Sequence, residues 1–381
     1  MAKTDVTPAD ALDIPVRDYL TRAVDADRRS AMLERGWSAD LLRDAAAQGW
    51  FSLAVPEEVG GLGIALGELA PVFVALGEHL VPGPLLENVL LPALFADTAV
   101  GERLVATVER GGVLAMADPG ISCAWSAEVG RVRLTDRGLS GSIGLVRFAA
   151  QADLLLVVAD APDGPHVCLV EPGAAGLFVE ELDSADPGSR FARVTFDECP
   201  AGQPLAAGAA ATELVGRLRA WARLLLACEL AGIARHLLTI TLDYVQQRKQ
   251  FGRVIGSYQV VQHTLATMHA STSSLHNLCL SAAADAGDQV GRELEVTAAA
   301  AKAYASETAR QVSEDALQMH GGIGFTAEHE LHWYYKRALA ARTWYGDERE
   351  LELEIGRLLI LGPDAVPPQN GGLRQPAGAT S

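Results

Sequence analysis

Two short stretches carry side chains able to grip an anionic, ring-bearing ligand. The first is Arg248-Lys249-Gln250-Phe251-Gly252-Arg253-Val254-Ile255-Gly256-Ser257-Tyr258-Gln259, set between two long apolar segments. Arginine presents a planar fork that matches phosphate oxygens. Phenylalanine offers a face to an aromatic ring, and glutamine offers amide groups to a heterocycle. Taken alone, the stretch also reads as a solvated basic turn around one buried phenylalanine. Gly252 is placed to end the first helix and Ser257 to cap the second. The second stretch is Gln318-Met319-His320-Gly321-Gly322-Ile323-Gly324-Phe325. Its glycines let backbone N–H groups approach a ligand, as phosphate-cradling loops do; a plain helix-ending loop is the simpler alternative. His320 could touch such a ligand or bond a backbone carbonyl. Glu229 lies in an apolar run, where pairing with Arg235 or Arg223 is expected to neutralise it. No Glu-x-x-His pair marks a di-iron bundle, and no metal site is expected.

Something must hold those stretches together, and the rest of the chain shows what. From about Thr212 to Leu361 the pattern is long and helical. Leu214–Gln247 is too apolar for a surface helix and belongs in the core of a bundle. Val260–Ala284 and Leu294–Met319 are of similar length. Between about Val113 and Leu205, β-prone runs at Arg131–Leu134, Leu154–Ala159, Val167–Val170 and Arg193–Phe196 predict a small antiparallel domain. Gly138, Gly141 and Gly144 interrupt it as bulges or loops would. The first part reads as helices: Ser38 caps one that stops near Gly49, and Leu66–Leu80 and Leu85–Ala96 form two more, with Pro84 suited to a first turn. The expected division is an N-terminal helical domain (1–112), a middle β domain (113–208), a C-terminal helical bundle of four helices (209–362) and a low-complexity, disordered tail (363–381).

Composition narrows the partners. The 381 residues carry a net charge of −17, 49% apolar and 21% charged residues. Such an acidic chain makes a poor nucleic-acid surface. Its five cysteines are odd in number and lack CxxC spacing, so neither a disulfide framework nor zinc is expected, and a reducing, cytoplasmic setting fits. Met1–Pro15 has no apolar core and carries acids, so it is not expected to be a signal peptide, and no uninterrupted apolar run reaches the ~18 residues of a membrane span.

In this order, the two motifs resemble the acyl-CoA dehydrogenase family. Trp50-Phe51-Ser52-Leu53-Ala54-Val55-Pro56-Glu57-Glu58-Val59-Gly60-Gly61-Leu62-Gly63 looks like that family's N-terminal signature, and Leu331-His332-Trp333-Tyr334-Tyr335-Lys336-Arg337 like its segment after the glycine loop. The resemblance covers most of the chain. It implies a mainly α fold with a small β domain, assembled as dimers or dimers of dimers. It also implies FAD held across a subunit boundary and α,β-dehydrogenation of an acyl-CoA thioester. On this resemblance Arg248, Gln250, Phe251, Ile255 and Gln259, with Gln318, Gly321 and Gly322, reach the FAD of a neighbouring subunit. An electron acceptor such as an electron-transfer flavoprotein is implied as well.

The resemblance fails where the base should be. The usual Glu-Gly-Thr triplet is matched by Tyr345-Gly346-Asp347, and the alternative base position by Ala222, followed by Arg223. A phenol of pKa near ~10 is protonated at neutral pH and makes a poor base. Asp347 or Glu348 could serve as a displaced base; charging the start of the last helix is the preferred reading of both. The flavin-facing stretches are altered too, to Met116-Ala117-Asp118-Pro119-Gly120-Ile121-Ser122-Cys123 and Gly144-Leu145-Val146-Arg147-Phe148. The expectation is therefore the arm-bearing subunit of an α2β2 heteromer acting on bulky acyl-CoA substrates such as steroid side chains. A second, Glu-bearing chain would supply the base. The competing readings are a self-sufficient homo-oligomer with a displaced base, and a non-catalytic acyl-CoA-binding or scaffolding protein.

Overall fold

The structure, a computed structural model, describes residues 8–121, 130–326 and 328–360. Ser122 and Cys123, and the tail from Pro363, lie outside the described residues.

Six helices open the chain: α1 (Pro8–Ala23), α2 (Ala26–Arg35), α3 (Ala39–Ala47), α4 (Ala70–Glu78), α5 (Leu85–Leu94) and α6 (Gly101–Glu109). The Ser38 hydroxyl accepts from Leu41 N at 3.2 Å, the expected cap. The segment from Leu66 begins as a short 3₁₀ turn and becomes α-helical only at Ala70.

Strands follow: β1 (Leu114–Ala117), β2 (Val132–Thr135), β3 (Gly138–Arg147), β4 (Leu154–Ala161), β5 (Gly164–Val170), β6 (Leu177–Leu182), β7 (Phe191–Cys199) and β8 (Ala206–Ala207). They form one sheet in the order β6-β7-β3-β2-β4-β5-β8, with β1 joining on β4. The sheet is not wholly antiparallel as expected: β1 runs parallel to β4, and β2 meets β4 in parallel at Arg133 and Asp160. Both faces of β4 are covered. Leu154, Leu156 and Val158 join the helical core, and Leu155, Val157 and Ala159 a second core on the other face. A strand buried on both sides suits parallel pairing, because no solvated face is required. The glycines of β3 act as the expected bulges and not as loops. A Cβ on Gly141 would lie 2.2 Å from Arg131 O, so the residue's φ of +128° and bare Cα let β2 pair closely. The register slips on either side of it, as bulges do.

The rest is helical: α7 (Gly208–Gln247), the two-residue strands β9 (Lys249–Gln250) and β10 (Arg253–Val254), α8 (Gln259–Asp285), α9 (Gly291–His320), α10 (Leu331–Thr343) and α11 (Glu348–Ile360). Helix α7 is long and apolar enough to cross a membrane by composition alone, but 72% of its most apolar window is buried inside this fold. It is the axis of the bundle. Reciprocal glycines seat α4 on it: a Cβ on Gly77 would meet Glu229 O, and one on Gly232 would meet Val74 O, each at 2.0 Å.

Candidate functional site

Helix α7 closes at Gln247, where the apolar run was expected to end. Arg248 N donates to Tyr244 O at 2.9 Å and the chain then turns through a hairpin, with Gln250 opposite Arg253. Gly252, five residues past the helix, sits at φ +80° in the hairpin turn and does not end α7. Ser257 does not cap α8: its hydroxyl donates to Val254 O at 2.7 Å, and Tyr258 precedes the helix without a side-chain cap. The corner is thus a braced β-turn rather than a helix–helix junction. Tyr258 supplies the brace by donating to Gln250 O at 3.3 Å while Arg253 lies 3.9 Å over its ring.

Phe251 at the tip is 92% exposed in left-handed backbone (φ 52°), which rules out the buried phenylalanine of the plainer reading. A non-glycine residue held in left-handed backbone with its ring in water is costly in an isolated chain. Arg248, Gln250 and Gln259 are exposed and Ile255 half-buried. The Arg248 guanidinium makes no hydrogen bond or ion pair among the described residues.

The glycine loop lies beside this corner. Tyr244 donates to His320 O at 3.3 Å and its ring stacks on the imidazole at 4.4 Å. Tyr244 is one helical turn before Arg248, and His320 follows Gln318 by two residues. The ends of α7 and α9 therefore present both motifs together. Gln318, Gly321 and Gly322 are exposed, Gly321 at φ +60°, and Ile323 and Phe325 add apolar surface. His320 bonds the carbonyl of Ala316 through Nδ1 at 2.8 Å; burial lowers its pKa and keeps it neutral. Exposed ring, unpaired guanidinium and accessible loop backbone together fit the adenine and pyrophosphate of a dinucleotide.

The base positions lie elsewhere and look different. Ala222 is fully buried and Tyr345 is 2% exposed, in left-handed backbone (φ 58°). The turn around Tyr345 is held from several sides: its N–H donates to Ile121 O at 2.7 Å, and Arg223 Nε donates to its carbonyl at 2.9 Å. Lys302, buried on α9, donates to Ser306 Oγ and Arg342 O at 3.0 Å and to Gly346 O at 3.5 Å. Burial pushes the Tyr345 phenol well above its usual range and pulls the Lys302 ammonium down to about 7. Neither effect makes a proton acceptor of Tyr345.

Asp347 and Glu348 are engaged in the helix start. Asp347 accepts from Glu350 N at 2.9 Å while Glu350 reaches back to Asp347 N at 3.3 Å, a capping box. Glu348 pairs with Arg342, which holds its carboxyl below the usual range. Glu229 does not pair with Arg235 or Arg223. Arg337 takes it at 2.9 Å, Arg235 goes to Glu78 at 3.1 Å, and Arg223 forks onto Glu354 at 2.7 and 2.8 Å.

Beside Tyr345 lies a cluster that residue patterns did not single out. Glu87 of α5 and Arg147 of β3 are 3% and 4% exposed and 3.4 Å apart, and Arg147 stacks 3.9 Å over Trp344. Leu145 and Phe148, flanking Arg147, are also in left-handed backbone. Burial raises the Glu87 pKa. The C-terminal end of β3, which the resemblance assigns to the flavin ring, is thus occupied by packed and charged side chains with few hydroxyl donors. A run such as Glu87-Asn88 inside LLENVLLPAL could have signalled this, because charges inside apolar helices are rarely left without a partner.

A family model described as "Acyl-CoA dehydrogenase, C-terminal domain" matches residues 214–359. The acyl-CoA dehydrogenase FadE34 of Mycobacterium tuberculosis is 31% identical over 84% of this chain, which spans 44% of that longer protein. The acyl-CoA dehydrogenase IpdE2 of Mycolicibacterium smegmatis is 30% identical over 87% of this chain and 93% of its own length. Among solved structures, the ChsE4-ChsE5 complex from Mycobacterium tuberculosis superposes with a TM-score of 0.84 at 25% identity, covering 95% of this chain and all of the matched one.

Proposed function

This chain belongs to the acyl-CoA dehydrogenase family, and from that premise we propose that it is the FAD-arm subunit of a heteromeric acyl-CoA dehydrogenase. Its arm, formed by Arg248, Gln250, Phe251, Ile255 and Gln259 with the Gln318-Gly321-Gly322 loop, grips FAD seated in a neighbouring chain, and that neighbour brings the catalytic glutamate. When bound, FAD supplies the hydride acceptor for α,β-dehydrogenation of an acyl-CoA thioester, and an electron-transfer flavoprotein is a suitable onward acceptor. This chain's own part is recognition. Arg248 neutralises phosphate charge, Phe251 stacks on the adenine, and the loop amides complete the contact.

One observation carries the reading: a strained, 92%-exposed Phe251 beside an unpaired arginine, in a chain whose base position is a buried tyrosine. A displaced base in a homo-oligomer is disfavoured because Asp347 and Glu348 are committed to capping and to Arg342. The mycobacterial two-chain complex supports a heteromer. The test is to express the chain alone and with a Glu-bearing family member, counting flavin per chain by visible absorbance. Flavin-poor protein alone and one FAD per unlike pair is the expected result. Full flavin occupancy with turnover in the chain alone contradicts it.

A further inference from the structure

A cavity of about 750 Å³ opens between α2, the end of α4, α7 and α8, and shares no lining residue with the arm. From α8 it is walled by Thr272 and His276. Thr272 is 3% exposed, and its hydroxyl has no hydrogen-bond partner among the described residues; neither has His276 Nδ1. Buried polar atoms are almost always bonded, so two such atoms on one cavity wall point to a ligand.

Arg235 faces them from α7, its side chain 42% exposed. It reaches Glu78 through one nitrogen at 3.1 Å, and Glu78 also pairs with Arg17, so most of the Arg235 fork stays available. Arg29 of α2 adds a second guanidinium, tied to Glu330 at 2.8 Å. Burial lowers the pKa of His79 and His276, and the strongest charge acting on each is a guanidinium, Arg29 on the first and Arg235 on the second. Asp25 and Glu78 line the cavity as well, so its lining charges balance, and the group free to take an anion is the largely unused Arg235 fork. The volume falls in the range of small-molecule sites.

We propose that this cavity binds a small anionic metabolite through a phosphate or carboxylate group, received by the Arg235 fork, the Thr272 hydroxyl and the His276 ring. The site is separate from the flavin arm and does not depend on the heteromer.

Isothermal titration of the purified full chain with pyrophosphate and with citrate, against sodium chloride of matched ionic strength, tests it. Saturable one-site binding of at least one anion is expected, weakened roughly tenfold or more by Thr272→Val and by Arg235→Met. Pyrophosphate alone would point to a phosphate ester and citrate alone to a carboxylic acid. Thr272→Val is close in volume to the native residue, so an unchanged melting temperature in that variant separates lost binding from lost folding. No saturable binding of either anion, or binding that both substitutions leave unchanged, overturns the proposal.

Discussion

The arm and the Tyr345 turn are both strained, and they spend that strain in opposite ways. Phe251 holds a left-handed backbone at the surface, with its ring in water and an unpaired Arg248 nearby. Tyr345 holds the same kind of backbone in the interior, bonded through Ile121 and Arg223, with Lys302 gripping the turn that carries it. Strain at an exposed, unsatisfied residue anticipates a partner. Strain at a buried residue whose backbone groups are bonded is compensated inside the chain. On the proposed reading, one end of this molecule acts on a neighbour, while the position matching the family's base, Tyr345, lies in the core.

That contrast predicts that interior substitutions move stability and arm substitutions move flavin. The largest effect is expected for Arg147→Met, which leaves Glu87 buried without its ion pair. It should destabilise the chain by about 3–5 kcal/mol in denaturant melts, with Glu87→Gln in the same chain restoring part of the loss. An unchanged melt would mean that the interior is less closed than the geometry implies.

Next comes Phe251→Ala. It should lower the flavin affinity of the assembly roughly tenfold, from lost stacking, and leave chain stability within about 0.5 kcal/mol. A large loss of stability would place Phe251 in the fold rather than the site.

Lys302 gives a pH signature. Its pKa is pulled down to about 7, whereas an unfolded lysine titrates near ~10.4. Between those values the unfolded chain binds more protons than the folded one, so this group makes stability rise with pH. Its share is at most about 1.4 kcal/mol per pH unit. Lys302→Met should flatten that rise; the wild-type-minus-variant difference cancels the other groups. A difference that falls with pH would refute the buried, neutral-leaning amine.

The smallest effect belongs to Asp347→Ala, a lost helix cap worth about 1 kcal/mol, with turnover of the assembly unchanged. A collapse of turnover without loss of stability would revive the displaced-base reading.

Much of this was legible in the residues. The apolar run of α7, the Ser38 cap and the pairing of an Arg-Phe corner with a glycine loop follow from local patterns that survive folding. Tyr345 and Ala222 were legible only by resemblance, because a missing carboxylate leaves no positive mark. The parallel pairing of β1 was hidden because both of its faces are buried and polar–apolar alternation vanishes. Strand β3 was hidden by glycines that bulge the strand without ending it and let β2 pair closely. The partners of Glu229, Arg235 and Glu87 are set by contacts across more than 100, 150 and 50 residues respectively, which spacing along a helix cannot report.

The central claim is that this chain completes a flavin site in another. Arg248→Met should therefore be placed in this chain only, co-purified with an unaltered Glu-bearing partner, and the bound flavin counted. The account predicts that flavin per assembly falls to roughly a tenth or less at limiting FAD, with the fold intact. Full retention of flavin would contradict it.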